Sequence, residues 1–179
     1  MENQNFYVLT GAMGAGKSTV IDMIRGRGTV CLPEPARPIL REQRLIKASG
    51  VPESDPDLFT RLMLSRAMHQ FESQAASSRT IVFDRGVPDM IAYAELFSLS
   101  PEIYRNAAGE YRYNRKVFWF QGWRDIYAKD DERKMEFEAA AAFGHRVRTI
   151  YEALDYMIVP VPLVSIADRV DFILDALNL

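Results

Sequence analysis

The sequence is nearly free of cysteine and has no long apolar run. Cys31 is the only cysteine among 179 residues, which excludes an intramolecular disulfide and a thiol-rich metal site. No apolar run approaches the ~20 residues that a membrane-spanning helix needs. The first residues, MENQNF, also lack the basic and then apolar pattern of a secretory signal. We therefore expect no membrane association and a cytoplasmic location.

A marked excess of charge of either sign is also missing. Lys and Arg total 22, Asp and Glu total 24, and no long basic run occurs. Because non-specific binding to a nucleic-acid backbone depends on such an excess, we predict no nucleic-acid partner. No Pro/Gly-rich linker divides the chain, which predicts one domain over residues 1–179. The oligomeric state is left open.

Short β-rich apolar runs alternate with longer amphipathic segments. The runs predict buried strands over residues 6–10, 29–34, 80–84, 116–121 and 157–162. The segments between them predict helices at 16–25, after Pro35, at 57–73 with Asp55 as N-cap, at 90–97, at 131–156, and after Ser165, whose N-cap would form a capping box with Asp168. This βα alternation predicts an α/β fold of three layers, with a five-stranded parallel sheet between helices on both faces.

A glycine-rich stretch, GAMGAGKST, joins the first predicted strand to the first predicted helix. It matches the pattern G-x-x-x-x-G-K-[ST], in which glycines allow backbone N–H groups to surround a phosphate at a helix N-terminus. Lys17 can reach the terminal phosphates and the Ser18 hydroxyl can ligate Mg²⁺. The alternative, a glycine turn that only caps a helix, needs neither the lysine nor the hydroxyl. The residues predicted to bind ATP, or GTP, are Gly11, Ala12, Met13, Gly14, Ala15, Gly16, Lys17, Ser18 and Thr19.

Charged residues also follow the second and third predicted strands. Asp84 and Arg85 come directly after IVF, where the strand ends of a parallel sheet gather ligands. We predict that Asp84 holds Mg²⁺, directly or through water, and that Arg85 faces phosphate or an anionic substrate. Glu34 stands between two prolines after the second strand and is predicted to accept the proton of an attacking hydroxyl. Arg37 is predicted to bind substrate or to pair with Glu34. The alternative for the Asp84–Arg85 pair is a purely local role, and for Glu34 an acid that only stabilises a helix start.

The segment 122–138 is dense in charge and precedes the long predicted helix. If it lies over the phosphates, it forms a lid in which Arg124, Arg133 and Lys134 neutralise charge on the transferring group, with Arg133 as the catalytic residue. An exposed charged helix is the alternative. The aromatic residues are predicted to lie mostly in the core, with Trp119, Trp123 and Tyr93 as candidates for the wall of a substrate pocket.

Together these residues resemble the small P-loop kinases. The stretches GAMGAGKST, PEPAR, FDRGVPDMIAYA, DDERK and VPVPLVSIADRVDFIL are similar to the AAA-domain family of predicted ATPases, related to ribosylnicotinamide, deoxyribonucleoside and thymidylate kinases. The resemblance covers nearly the whole chain and implies a P-loop NTPase fold. It implies a general base at Glu34, a pair of site residues at Asp84 and Arg85, and a lid arginine at Arg133. Gln70 is one candidate for a base-reading glutamine.

Two functions follow from this pattern. The first is ATP- and Mg²⁺-dependent phosphoryl transfer to a small-molecule acceptor, such as a nucleoside, a nucleotide or another hydroxyl-bearing metabolite. The alternative is a nucleotide-dependent switch or adaptor NTPase that acts on a protein partner and needs no substrate pocket. The identity of the acceptor is left open.

Overall fold

A five-stranded parallel sheet forms the centre of the computed structural model, which describes residues 1–128 and 135–179. The strands are β1 (Phe6–Gly11), β2 (Val30–Leu32), β3 (Ile81–Asp84), β4 (Lys116–Phe120) and β5 (Met157–Pro160). They lie in the order β2-β3-β1-β4-β5, and every neighbouring pair is parallel. The predicted sheet is confirmed. β2 is shorter than predicted because Pro33 and Pro35 have no N–H to donate to a neighbouring strand.

Helices connect these strands. In the described ranges they are α1 (Lys17–Gly26), α2 (Ala36–Leu45), α3 (Pro56–Ser73), α4 (Asp89–Leu96), α5 (Glu102–Glu110), α6 (Phe137–Ala153) and α7 (Ile166–Leu177). A short 3₁₀ turn, Arg124–Ile126, precedes α6. None of the helices in residues 1–128 and 135–179 is long and apolar enough to cross a bilayer.

The predicted N-caps of α3 and α7 are confirmed, whereas the bond from the Ser165 main-chain amide to Asp168 that completes a capping box is not found among the described residues. The Asp55 carboxylate accepts a hydrogen bond from the Leu58 amide at 2.9 Å, and the Ser165 hydroxyl oxygen accepts one from the Asp168 amide at 3.2 Å. Ser165 also donates to the Asp168 carboxylate at 2.6 Å. The N-terminal ends of these helices are therefore set by local side chains.

The helix prediction missed one helix and misplaced both ends of another. The helix α5 was not predicted, because it shows only one short apolar stripe, with Tyr104 and Ala108 one turn apart as its buried residues. The long helix was predicted to begin at residue 131, which lies outside the described residues, but Glu136 is an extended N-cap and α6 begins at Phe137. It ends before the predicted residue 156 because Asp155 adopts a left-handed conformation with φ of 63°.

The sheet separates two apolar cores, as the three-layer prediction requires. Alternate side chains of β1 enter different cores: Phe6 and Val8 pack beneath α2 to α6, and Leu9 packs beneath α1 and α7. This alternation fixes which face of the sheet each helix covers. Because the strands are parallel, the carboxyl ends of β1, β2 and β3 meet at one edge of the sheet. There Leu9 is in register with Asp84 and Leu32 with Phe83.

Candidate active site

The loop between β1 and α1 begins with a glycine that no other residue can replace without strain. Gly11 has φ of 121°, and a Cβ there would lie 2.1 Å from the main-chain oxygen of Phe120. The neighbouring Ala12 amide donates to that same oxygen at 2.8 Å, which holds the loop against the end of β4. Gly11 therefore sets the position from which the loop departs.

The next residues of the loop present main-chain amides that the fold does not use. Gly14 and Gly16 have φ of 75° and 81°, and α1 begins at Lys17 without a capping side chain. Within the described part of the chain, the amides of residues 13–16 donate no hydrogen bond. Such a row of amides at a helix N-terminus suits an anion. Phosphate binding by residues 11–19 stays a prediction, and the unused amides of residues 13–16 support it.

Lys17 is buried beneath the loop. Its ammonium group donates to the Ala12 carbonyl oxygen at 2.8 Å. Burial, followed by the nearby Arg85 charge, lowers the pKa of Lys17 to about 8, although the surrounding carboxylates oppose this shift. A polyphosphate in the loop would supply the missing negative charge and favour the charged lysine.

Asp84 ends β3 and is buried with an unused oxygen. Its Oδ1 atom has no hydrogen-bond partner among the described residues. Burial, followed by the Glu34 charge, raises the pKa of Asp84 to about 7. An orphaned carboxylate oxygen of this kind fits a water molecule or a hard cation.

Mg²⁺ would need further ligands besides Asp84. No group of three or more His, Cys, Asp or Glu residues able to hold a metal occurs in residues 1–128 and 135–179. Ser18 lies on the wall of the adjoining cavity, whereas Asp84 does not. This sparse donor set fits Mg²⁺, which usually keeps several waters and takes other oxygens from phosphates. The metal roles of Ser18 and Asp84 stay predictions.

Glu34 emerges from the end of β2 and is oriented by two donors. Its Oε1 accepts from Arg85 Nε at 2.7 Å and from the Tyr93 hydroxyl at 3.2 Å. Its other oxygen, Oε2, lies 4.0 Å from Arg37 Nε. Burial would raise the pKa of Glu34, but the Arg85 and Lys17 charges outweigh it and hold the pKa below its usual range. The carboxylate is therefore ionised at neutral pH.

Arg85 lies in the same cluster, but its donors face protein groups. Its side chain is only 1% exposed, and Nη1 donates to Asp89 Oδ1 at 2.9 Å and to the Gly11 carbonyl oxygen at 3.2 Å. The guanidinium also lies 5.4 Å from the centre of the Phe143 ring. Arg85 borders the cavity, so its predicted contact with substrate stays a prediction, but its visible role is to hold Glu34.

Asp89 completes this cluster and was not predicted as a site residue. Its carboxylate accepts four hydrogen bonds, from the Thr10 hydroxyl, Arg85 Nη1, the Gly86 amide at 3.0 Å and the Tyr151 hydroxyl at 2.7 Å. The sequence does contain the spacing of four residues between Arg85 and Asp89 that favours an ion pair. That this pair is buried, and therefore part of the site, follows only from the fold.

The phosphate loop and Glu34 open into one cavity of about 730 Å³. Its lining includes the loop residues Gly14, Gly16, Lys17 and Ser18. Side chains of α2, α3, α4 and the loop before α3 line it together with Glu34. A single cavity thus connects the predicted phosphate site with the predicted base.

A family model for an AAA domain matches residues 6–169, which is most of the sequence. The chain belongs to this AAA-domain family. The resemblance inferred from the sequence motifs is therefore confirmed. No curated protein matches the sequence at a significant level.

Solved structures share the fold of this AAA-domain protein over nearly its whole length. A deoxyadenosine kinase from M. mycoides with bound dATP has a TM-score of 0.70 and 17% identity, with 97% of this chain and 99% of that chain covered. The NadR protein in complex with NR has a TM-score of 0.61 and 17% identity, with 97% of this chain and 51% of that chain covered. At such low identity the likeness establishes the P-loop kinase fold and leaves the substrate open.

The lid over residues 122–138 stays a prediction, since residues 129–134 lie outside the described ranges. Trp123 borders the cavity, as does Met135 at the other end of the segment, whereas Arg133 and Lys134 lie outside the described residues. Arg124 does not border the cavity: it forms an exposed ion pair with Glu138. Arg124 is therefore exposed, as the alternative to a lid predicted.

The predicted pocket-wall residues divide between the cavity and the core. Tyr93 borders the cavity together with Trp123. Trp119 does not, since it is buried and its indole N–H donates to the Gly144 carbonyl oxygen at 2.9 Å. Trp119 as a wall of the pocket was therefore wrong, because the β4 side chain on this face packs on α6. Gln70 also lies outside the cavity lining, and its amide donates to the Pro33 carbonyl oxygen at 2.9 Å.

Arg169 is a further residue that the motifs did not single out. It lies on α7, is 3% exposed, and donates from Nη1 to the Ala15 carbonyl oxygen at 3.2 Å. Its guanidinium lies 5.3 Å from the centre of the Trp123 ring, its Nε has no partner within the described ranges, and burial lowers its pKa. Arg169 therefore holds the phosphate loop from α7 and, like Glu34, borders the cavity.

Proposed function

We propose that this AAA-domain protein is an ATP- and Mg²⁺-dependent kinase that transfers the γ-phosphoryl group to a hydroxyl of a small molecule. The observation that carries the proposal is that Lys17, Ser18 and Glu34 line one and the same cavity. The deoxyadenosine kinase and NadR likenesses support it at the level of the fold. In this proposal residues 1–179 form one domain with a lid around residues 122–138.

The phosphate loop would bind and orient the donor. The amides of residues 13–16 and the Lys17 ammonium would surround the phosphates of ATP, and GTP fits the same backbone geometry. Mg²⁺, held by Ser18 and by Asp84 directly or through water, would neutralise charge on the phosphate oxygens when bound. Arg133 is retained as the proposed lid residue that approaches the transferring group.

Glu34 would act on the acceptor. Arg85 and Tyr93 hold its Oε1, so Oε2 is the oxygen that would face the acceptor hydroxyl. As the hydroxyl oxygen bonds to the γ-phosphorus, the bond from that phosphorus to the bridging oxygen of ADP breaks, and the hydroxyl proton passes to Glu34. Arg37, 4.0 Å from Oε2, would bind a polar group of the acceptor near the reacting hydroxyl.

The switch alternative fits the cavity less well. A nucleotide switch needs loops that respond to the γ-phosphate and a group that positions water. It has no use for the walls that α2, α3 and α4 build around Glu34. These walls favour an acceptor larger than water.

Replacing Glu34 by Gln tests the proposal. Glu34→Gln removes the proton acceptor while keeping the shape of the side chain, so transfer to an acceptor should fall by roughly 10²–10⁴-fold. Binding of Mg·ATP, measured by calorimetry, should change little. Glu42→Gln is the matched control, because Glu42 lies on α2 in an exposed pair with Arg66 and should leave both quantities unchanged.

Product analysis separates the two functions. Formation of ADP that depends on an added acceptor, together with a phosphorylated product, supports the kinase. Formation of ADP at the same rate without any acceptor would overturn it in favour of the switch. Full transfer activity in Glu34→Gln would remove Glu34 from the mechanism.

A further inference from the structure

The part of the cavity that faces Glu34 has walls of apolar side chains. We define this part, the acceptor half, by Glu34, Arg85 and the lining residues of α2, the loop before α3, α3, α4 and the residue after it. Its apolar members are Ala36, Leu40, Pro52, Phe59, Leu96 and Phe97. Phe59 is buried, and its ring meets that of Phe97 edge to face at a centroid distance of 6.3 Å. An apolar surface of this kind is stabilised by contact with an apolar ligand.

Polar groups in the acceptor half are confined to the end near the phosphate loop. They are Glu34, Arg37, Arg85 and Tyr93. Two of them already serve Glu34, since the Tyr93 hydroxyl and Arg85 Nε both donate to its Oε1. The polar end of the acceptor half therefore accommodates one reacting hydroxyl and its immediate neighbours.

Beyond that end, the described residues of the acceptor half offer no amide side chain and no Ser or Thr hydroxyl to pair with a nucleobase. The lining of the acceptor half includes no Asn, Gln, Ser or Thr from residues 1–128 and 135–179. Gln70, the candidate base reader, donates instead to the Pro33 carbonyl oxygen. A nucleobase carries several hydrogen-bonding groups on one edge. Each group left unpaired against an apolar wall weakens binding by roughly tenfold or more.

We infer that the acceptor is an alcohol carried on an apolar aromatic or branched aliphatic body, and not a nucleoside. This inference rests on the proposed kinase function and names its substrate class. The hydroxyl meets Glu34 Oε2, and the apolar body fills the space between Leu40, Phe59 and Phe97. The alcohol oxygen gains the γ-phosphoryl group of ATP and its proton passes to Glu34. The products are ADP and a monophosphate ester.

A panel of acceptors with Mg·ATP tests the inference on the protein of residues 1–179. It contains 2-phenylethanol, 3-methylbut-2-en-1-ol, deoxyadenosine, deoxycytidine and nicotinamide riboside, with the phosphate ester detected by mass spectrometry. At least one apolar alcohol should exceed every nucleoside in kcat/KM by about tenfold. A nucleoside that outperforms the apolar alcohols, or the absence of an ester from every apolar alcohol, overturns the inference. The kinase proposal survives the first of these results, and it fails only if ADP forms equally well with no acceptor.

A pair of variants on one helix tests the location of the acceptor. Leu40→Gln places an amide in the apolar wall, whereas Leu45→Gln places the same amide on the exposed end of α2. For the best apolar alcohol, Leu40→Gln should lower kcat/KM by about tenfold with the KM for ATP unchanged. Leu45→Gln should stay within about twofold of the parent. Equal behaviour of the two variants would show that the alcohol does not occupy the acceptor half.

Discussion

Asp89→Asn should destabilise this protein far more than the removal of any exposed carboxylate. The Asp89 and Arg85 side chains are 0% and 1% exposed, so neither charge is compensated by water. The substitution removes the negative charge and replaces one carboxylate oxygen by an NH₂ group, which cannot accept a hydrogen bond. Whichever way the amide turns, its NH₂ group faces either Arg85 Nη1 or the Gly86 amide, which can only donate, so at least one of the four hydrogen bonds is lost.

The expected size of this loss follows from the burial of the pair. Removing one partner of a buried ion pair costs about 3–5 kcal/mol, because the other charge stays buried and is less well compensated. Glu34 remains beside Arg85 and places the expected value toward the lower end of that range. A domain of this size has a free energy of unfolding of about 5–15 kcal/mol, so the change is a substantial fraction of the total.

Urea denaturation followed by circular dichroism measures the effect. With a slope of about 2 kcal/mol per molar urea, the midpoint of unfolding should fall by about 1.5–2 M. Glu152→Gln is the control, because Glu152 pairs with Arg148 on the exposed face of α6 and should cost no more than about 0.5 kcal/mol. If Asp89→Asn and Glu152→Gln shift the midpoint equally, the buried cluster around Arg85 does not contribute as described.

Two further predictions concern the phosphate loop and its neighbouring acid. Gly11→Ala should destabilise the protein by roughly 3 kcal/mol or more, since its Cβ would lie 2.1 Å from the Phe120 oxygen. Gly109→Ala is the control: the space around Gly109 is open, so the added methyl group should stabilise α5 by about 0.5–1 kcal/mol. Equal midpoints of urea unfolding for the two variants would contradict this prediction. Asp84→Asn should raise stability in Mg²⁺-free buffer at pH 8, by at most about 4 kcal/mol, because the folded-state pKa of Asp84 is raised from 3.8 to about 7. The penalty for ionising Asp84 grows between these two pKa values and is absent below pH 3.8, so the gain should disappear in acid. A gain that is the same at pH 4 and pH 8, or a loss at pH 8, would refute it.

Much of the fold could be predicted because its signals are local. The phosphate loop is a run of adjacent residues between an apolar strand and a helix, and Asp55 and Ser165 cap helices through residues only three positions away. The alternation of strand and helix then restricts the sheet to a parallel one. Helix α5 escaped this reasoning because a single short stripe resembles many exposed segments.

The site was predictable only as a set of candidate residues. Glu34 and Arg85 stand 51 positions apart, and their ion pair exists because β2 and β3 are neighbours in the sheet. The contact of Arg169 with Ala15 spans 154 positions. Hydrogen bonds of this range depend on strand order and burial, neither of which leaves a spacing signal in the chain.

By itself, the sequence determined that a loop with the P-loop pattern follows the first strand, that the sheet is parallel, and that an acid lies at or just after the end of the second and third strands. Backbone conformation and strand direction are local consequences of residue type and spacing, so these features could be deduced without a fold. The tertiary structure alone decided that Arg85 is enclosed by Glu34 and Asp89, and that apolar side chains from three helices surround the space in front of Glu34. Both depend on which surfaces lose their water when distant segments pack together, and packing is a property of the folded chain as a whole.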